Sequence, residues 1–248
     1  MARPHLRETG VTEGRNRMVA EFDKVAGNYD ALLNSATAMT GFDAGEFAGA
    51  KARRLARLFP DVARGGGRFL DYGCGAANLL AHFIKYFPET DYTGVDPSAG
   101  MIARAREQYP DTGRFFETAS PEWKEGAYDL IFIANVLHHI PHDRHPAILE
   151  ALCGLLNPGG RLAVWEHNPL NPVTRRIVRD CEFDRDAVLV PSRQLKRLMR
   201  RLSLLNVALQ YTTFFPKWLG WLTGLEPSLG WCPLGGQYVV FGEKPAGR

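Results

Sequence analysis

Phe69-Leu70-Asp71-Tyr72-Gly73-Cys74-Gly75-Ala76-Ala77-Asn78 joins a short strand to a helix through a Gly-x-Gly turn. The run follows Gly65-Gly66-Gly67, so the strand is expected over Arg68–Tyr72 and the helix over Ala77–Phe87. Gly73 and Gly75 let the chain turn tightly and let a ligand approach the backbone. A helix opening at this point presents N–H groups with no partner inside the helix. Asp71, beside the turn, offers an acceptor to a cationic group. Asp96 lies twenty-one residues beyond Gly75, at the end of a second strand, Tyr92-Thr93-Gly94-Val95. A carboxylate there can accept hydrogen bonds from both hydroxyls of a ribose. Asn78 stands where the dinucleotide fingerprint has its third glycine, which disfavours a nicotinamide and favours a nucleoside without a pyrophosphate.

The alternation continues outward. A helix is expected over Ala99–Gln108 and a strand over Arg114–Glu117. Tyr128–Ile133 is a near-continuous apolar run, as in a strand covered on both faces. A helix over His145–Leu156 and a strand over Gly160–Glu166 follow. Strands alternating with helices predict an α/β protein with a doubly wound, mostly parallel sheet. Ser192–Leu202 reads as a basic helix, and Leu205–Thr213 and Gln237–Gly242 as strands. Upstream, Phe22, Val25, Tyr29 and Leu32/Leu33 recur at helical spacing, and a second helix is expected from Ala44 to Leu58. The chain thus divides into a helical segment, residues 1–60, and an α/β core, residues 61–248.

Four motifs in order resemble the class I S-adenosylmethionine-dependent methyltransferases. They are Asp71-Tyr72-Gly73-Cys74-Gly75, Gly94-Val95-Asp96-Pro97-Ser98-Ala99-Gly100-Met101, Tyr128-Asp129-Leu130-Ile131 with Ala134-Asn135-Val136-Leu137-His138-His139-Ile140, and Leu156-Asn157-Pro158-Gly159-Gly160-Arg161-Leu162. The resemblance covers about Phe69 to Glu166. It implies a Rossmann-like sheet of seven strands, the last antiparallel and inserted between the fifth and sixth, and S-adenosylmethionine as cofactor. By the same resemblance, Gly73, Cys74 and Gly75, with Asp71 and Asn78 beside them, hold the methionine part. Asp96 with Pro97 takes the ribose, Met101 or Ile102 lies near the adenine, and Asn135 lines the methyl-transfer side. Tyr29, in the pair Tyr29-Asp30, corresponds to a tyrosine in a helix that lids the cofactor; simple core packing is its other reading. The chain departs from the family at Ala119, where many relatives carry an adenine-binding aspartate. Thr118, Ser120 or backbone groups are the remaining candidates for that contact.

Methyl transfer needs alignment above all, and a base only where the acceptor keeps its proton near neutral pH. His138 and His139 follow the fourth strand, and His139 is the preferred proton acceptor by resemblance; the plainer reading makes one of the pair structural. Glu166, His167 and Asn168 end the fifth strand, placed to orient a substrate or to cap the loop before Pro169. No metal is expected: Pro141 interrupts His138, His139, His142 and His145, and no matching Cys or carboxylate set accompanies them. His142 and His145 are expected at the start of the next helix, on a solvated face.

Composition narrows the partners. The 248 residues are 45% hydrophobic, and a net charge of +3 is too small to indicate nucleic acid. The four cysteines form no CxxC pair, which suits reduced thiols in the cytoplasm. The start of the chain has no apolar core of a secretory signal, and no apolar run approaches membrane-span length. Arg193, Lys196, Arg197, Arg200 and Arg201 are read as the solvated side of an amphipathic helix. Trp218, Trp221, Leu222 and Leu225 are expected to form one helical stripe packed on the sheet edge or on the N-terminal helices; an acceptor-pocket wall and a membrane-interface contact are the next readings. The expected activity is methylation of an O or N atom of a small-molecule metabolite. The alternatives are an RNA methyltransferase and a nonenzymatic S-adenosylmethionine-binding module.

Overall fold

The computed structural model describes residues 40–246 except 182, 183 and 185. Tyr29, and the expected helical segment as far as residue 39, lie outside the described residues. Helix α1, Ala44–Leu58, has the expected bounds and opens with a capping box: Asp43 accepts from the Glu46 N–H and Glu46 accepts from the Asp43 N–H. A short helix that the sequence reading missed, α2 (Pro60–Gly65), follows, with Pro60 in its first turn, where a missing N–H costs nothing.

Seven strands then form one sheet: β1 Gly67–Tyr72, β2 Thr90–Asp96, β3 Arg114–Glu117, β4 Tyr128–Ala134, β5 Leu156–His167, β6 Leu205–Thr212 and β7 Gln237–Glu243. Their order is β3-β2-β1-β4-β5-β7-β6. β1 to β5 pair parallel, and β7 runs antiparallel between β5 and β6. This is the seven-stranded arrangement expected from the sequence resemblance. Helices α3 (Leu80–Phe83), α4 (Ala99–Gln108) and α5 (His145–Gly154) connect the parallel strands, while α6 (Pro172–Asp180) and α7 (Ser192–Arg201) lie between β5 and β6. Two apolar layers sandwich the sheet. Leu55, Phe69, Phe83, Tyr92 and Phe132 belong to one; Leu70, Ile131, Leu149, Leu195 and Met199 belong to the other. Alternate residues of one strand feed both, as a doubly covered sheet requires.

Three local expectations need correction. The helix predicted over Ala77–Phe87 is reduced to Leu80–Phe83. Gly75 and Ala77 both have positive φ, at 54° and 61°, so residues 75–79 form turns rather than helix. Secondly, His145 is buried rather than solvated: its Nε2 contacts the Leu137 and Ile140 carbonyls at 2.9 Å each, tying α5 to the β4 exit. Thirdly, the aromatic segment forms a 3-10 run, Lys217–Leu229, kinked at Leu219, with no buried residue. Trp218, Trp221 and Leu225 are exposed there, so these side chains do not pack on the sheet edge; the N-terminal helical segment up to residue 39, part of the other expected partner, lies outside the described residues. Helix α7 matches its reading: Leu195 and Met199 are buried, and Arg193, Arg197, Arg200 and Arg201 face outward.

Candidate functional site

Parallel α/β sheets bind ligands beyond the carboxyl ends of their strands, where strand order reverses. Here β1 lies between β2 and β4, and its carboxyl end carries the Gly73–Gly75 turn. The Gly73 and Cys74 N–H groups both donate to the Val95 carbonyl, at 2.7 and 3.1 Å. The Gly75 N–H donates to Asp96 Oδ2 at 2.9 Å, and Asp96 Oδ1 accepts from the Ser98 N–H at 2.9 Å. The expected row of unpartnered helix N–H groups is therefore replaced by a turn pinned to β2, with Asp96 fixed beside it. Gly73 has φ 83°, and a Cβ there would collide with Val136 Cγ2. Glycine is thus required twice over at Gly73, by conformation and by contact with the loop leaving β4.

Asp71 is buried and accepts from the Tyr92 hydroxyl at 2.5 Å. Burial raises its pKa to about 6, against the opposing pull of that hydrogen bond and of the Lys51 charge. Lys51, from α1, was missed in the sequence because its position reads as one polar residue of an amphipathic helix. It is half-buried, and desolvation lowers its pKa to about 8 despite the nearby Asp71 and Glu166 charges. Burial pushes the Cys74 thiol well above its ordinary range, so Cys74 is not poised as a nucleophile.

The other expected cofactor residues surround this turn. The Thr118 N–H donates to the Asp96 carbonyl at 3.0 Å, which puts the end of β3 beside Asp96. Met101 is buried, with its N–H on Ser98 Oγ, while Pro97 and Asn78 are half-buried. The Ser120 hydroxyl is bonded to Glu122, and Ala119 is exposed. At the end of β4, Asn135 has φ 57°, and its Oδ1 is buried without a hydrogen-bond partner among the described residues. An orphaned buried acceptor on a strained residue marks a place where a ligand donor fits. Around Gly75 a Cβ would meet nothing within 4 Å among the described residues, and these features fit the S-adenosylmethionine implied by the sequence.

A second cluster sits at the ends of β4 and β5. Glu166 is fully buried. Its Oε1 accepts from the Val136 and Leu137 N–H groups at 3.1 and 2.7 Å, and its Oε2 lies 2.6 Å from His138 Nδ1. Asp184 Oδ1 lies 3.4 Å from both His138 Nε2 and His139 Nε2. The His138 ring centroid is 4.2 Å from that of His139 and 5.2 Å from that of His167. Burial works against a charge on His138, but the Glu166 and Asp184 carboxylates outweigh it and raise its pKa to about 9. His138 in turn holds both acids below their ordinary values against their own burial, Asp184 at about 2. Burial and the His138 charge lower His139 and His167 to about 4 each.

The structure brings His138, His139 and His167 together. It assigns Glu166 to holding the β4 exit and His138. Asn168 has a capping role: its Nδ2 bonds the Pro233 and Gly235 carbonyls and its Oδ1 accepts from the Leu170 N–H. Asp184 was missed because it lies 45 residues beyond His139 in an irregular stretch with no periodicity. A cavity of about 410 Å³ is bounded by His138, His139, Ile140, His142, Asp186 and Val188.

Comparison with known proteins agrees with this geometry. The family profile described as "Methyltransferase domain" matches residues 70–162. Trans-aconitate 2-methyltransferase of Methylobacterium radiotolerans is 36% identical over 110 residues, covering 44% of this chain and 42% of the relative. The enzyme of the same name from Methylobacterium nodulans is 35% identical over 147 residues, covering 57% and 55%. The chain thus spans about half the length of the curated relatives it matches. Among solved structures, a SAM-dependent methyltransferase of Thermotoga maritima, described as a possible histamine N-methyltransferase, aligns with TM-score 0.62 at 16% identity, covering 92% of this chain and 99% of that one. DhpI in complex with SAH aligns with TM-score 0.61 at 19% identity over 97% and 100%. Sheet order and matched sequence converge on the same stretch: residues 70–162 carry the match to the methyltransferase-domain profile, on a fold shared with solved SAM-dependent methyltransferases.

Proposed function

We propose that the protein transfers a methyl group from S-adenosylmethionine to an oxygen or nitrogen of a small-molecule acceptor. The observation that carries this reading is the contact between Gly73 and Val136. It sets the cofactor turn directly against the loop that bears His138 and His139. When bound, the cofactor supplies a methyl group already activated on a sulfonium. The chain's own task is then to align the acceptor with it and, for an acceptor that keeps its proton near neutral pH, to receive that proton.

We assign proton acceptance to His139. It is less buried than His138, stands at the β4 exit, and is uncharged at neutral pH. His138 and Glu166 act as positioning residues that hold this exit in place. The curated relatives are named for trans-aconitate, which supports an acceptor of metabolite size. The outward basic face of α7 is accounted for by its buried apolar side, so no nucleic-acid partner is invoked. No helix among the described residues is long and apolar enough to cross a membrane.

Calorimetric titration with S-adenosylhomocysteine, with NADH as control, tests the cofactor. Stoichiometric binding of the first alone is expected, and binding of NADH alone overturns the reading. A screen for transfer of labelled methyl to metabolite acceptors then tests catalysis. His139→Ala is expected to lower kcat about 100-fold with cofactor affinity within about twofold of the parent. Equal loss in both would make His139 structural.

Asp71 gives a pH dependence. Its pKa is raised to about 6, so it is protonated below that pH and ionised above it. The cofactor's cationic methionine part favours the ionised form. Its affinity should therefore be level from pH 7 to 8 and fall up to about tenfold per unit as pH drops below about 6. Tyr92→Phe removes a hydrogen bond that favours the carboxylate and should move the break to higher pH. Affinity that stays level from pH 5 to 7 would remove Asp71 from this role.

A further inference from the structure

We infer that His138, His167 and Asp184 form a site for one divalent transition ion of the zinc type, at the carboxyl ends of β4 and β5. The inference does not depend on the methyl-transfer reading. Each of the three residues offers one ligand atom, and these atoms lie within 4.8 Å of one another. They come from three separate parts of the chain, so no local turn forces them together. The loop that bears Asp184 is pinned to the cluster: the Val188 N–H donates to the His138 carbonyl at 2.8 Å, and the Ala187 N–H donates to the Asp184 carbonyl at 2.9 Å.

The geometry of His138 is that of a metal ligand with an outer carboxylate. Glu166, itself anchored by two backbone N–H groups, takes the Nδ1 side at 2.6 Å. That contact places the ring proton on Nδ1 and turns Nε2 toward Asp184. Carboxylate–histidine–metal sets fix their imidazoles in this way. The separation from His138 Nε2 to Asp184 Oδ1 is 3.4 Å. This is long for a charged N–H···O bond, which closes to about 2.7–2.9 Å. It equals the edge between two ligands on a tetrahedral ion with bonds of about 2.1 Å, which is about 3.4 Å. His139 Nε2 lies at the same distance from the same oxygen, so imidazoles flank this carboxylate on two sides.

Two imidazoles and one carboxylate suit zinc, cobalt or ferrous ions better than calcium or magnesium, which prefer all-oxygen shells. Three protein ligands leave a coordination position for water or for an acceptor oxygen. Binding places the ion on Nε2 of His138 in its neutral form, so any proton held there is released to solvent. The sequence reading excludes a metal on His138, His139, His142 and His145, a set that lacks His167 and Asp184. The structure directs His142 to the Val188 carbonyl and His145 to the Leu137 and Ile140 carbonyls.

The test uses the full chain, stripped with a chelator and titrated with Zn2+ against a chromophoric competitor at pH 7.5. Co2+ substitution and X-ray absorption are run on the same protein. One equivalent should bind, with Co2+ giving the intense visible bands of a four-coordinate site and absorption fine structure showing two imidazoles. Asp184→Asn and His167→Gln should each weaken binding at least 100-fold, and Glu166→Gln about 10- to 100-fold. His82→Gln, on α3, should leave it within twofold. Stoichiometric binding unchanged in Asp184→Asn and His167→Gln overturns the site. So does a wild-type ion shell without imidazole, a reading that needs no variant to fold. Failure of the parent protein to retain Zn2+ against the competitor also overturns it, and leaves His138 as an imidazolium between Glu166 and Asp184.

Discussion

Glu166→Ala should destabilise the chelator-treated protein by about 3–5 kcal/mol, the cost of removing one partner from a buried ion pair. Glu166 is fully buried and serves three donors at once: the Val136 and Leu137 N–H groups and His138 Nδ1. Alanine orphans both backbone donors and leaves the buried His138 with only the longer Asp184 contact. For a chain of this size the loss corresponds to a fall in Tm of roughly 6–20 °C. Glu166→Gln separates the two contributions. Its side-chain oxygen can still accept from the backbone, but the charge opposite His138 is gone, so an intermediate loss is expected. Urea unfolding followed by tryptophan fluorescence and by circular dichroism measures both variants. A loss below about 1 kcal/mol for alanine would mean that the β4 exit is held by the Gly73–Val136 packing instead.

Glu166 also shows where legibility in the sequence ended. The parallel core was readable because each βα unit carries its own signal: an apolar run such as Tyr128–Ile133, then a turn, then a periodic helix. The positions of Asp71, Gly73, Gly75 and Asp96 followed from the same local logic, since a strand end and the turn after it are contiguous in sequence. The second cluster is assembled across the sheet. Parallel pairing of β4 with β5 sets Ala134 beside Trp165, and this brings His138 to Glu166 and His167. No spacing rule announces that register. Asp184 is harder still, because its loop is placed by single backbone bonds such as Val188 to His138. The aromatic segment misled for a related reason. Trp218, Trp221 and Leu225 share one face only if the run is a straight α-helix, and the break at Leu219 removes that premise. At Ala77 the propensity for helix was outweighed by the tertiary demand for a left-handed turn.

Asp96→Ala should reduce affinity for S-adenosylhomocysteine about 100-fold or more, equivalent to about 2.7 kcal/mol. Two effects add. A ribose hydroxyl loses a charged acceptor, a bond worth about 1.5–3 kcal/mol. The turn also loses its tether, because Asp96 Oδ2 is what holds the Gly75 N–H, while Oδ1 holds Ser98 at the start of α4. Asp96→Asn distinguishes the two. An amide keeps one oxygen for one backbone donor but presents an NH2 group to the other, so the tether is half-kept while the charge is lost. If the charge on the ribose dominates, Asn should bind nearly as weakly as Ala; if the tether dominates, Asn should recover much of the affinity. Asp91→Ala is the control. Asp91 lies on β2 as well, but it is half-exposed and paired with Arg114 at 2.7 Å, and it should leave binding within about twofold. Unchanged affinity in Asp96→Ala, with apo stability also unchanged, would remove Asp96 from the ribose site and leave the turn held by the Val95 carbonyl alone. A loss confined to stability would make Asp96 a structural clasp, and the nucleoside would then have to be read from the backbone around Thr118.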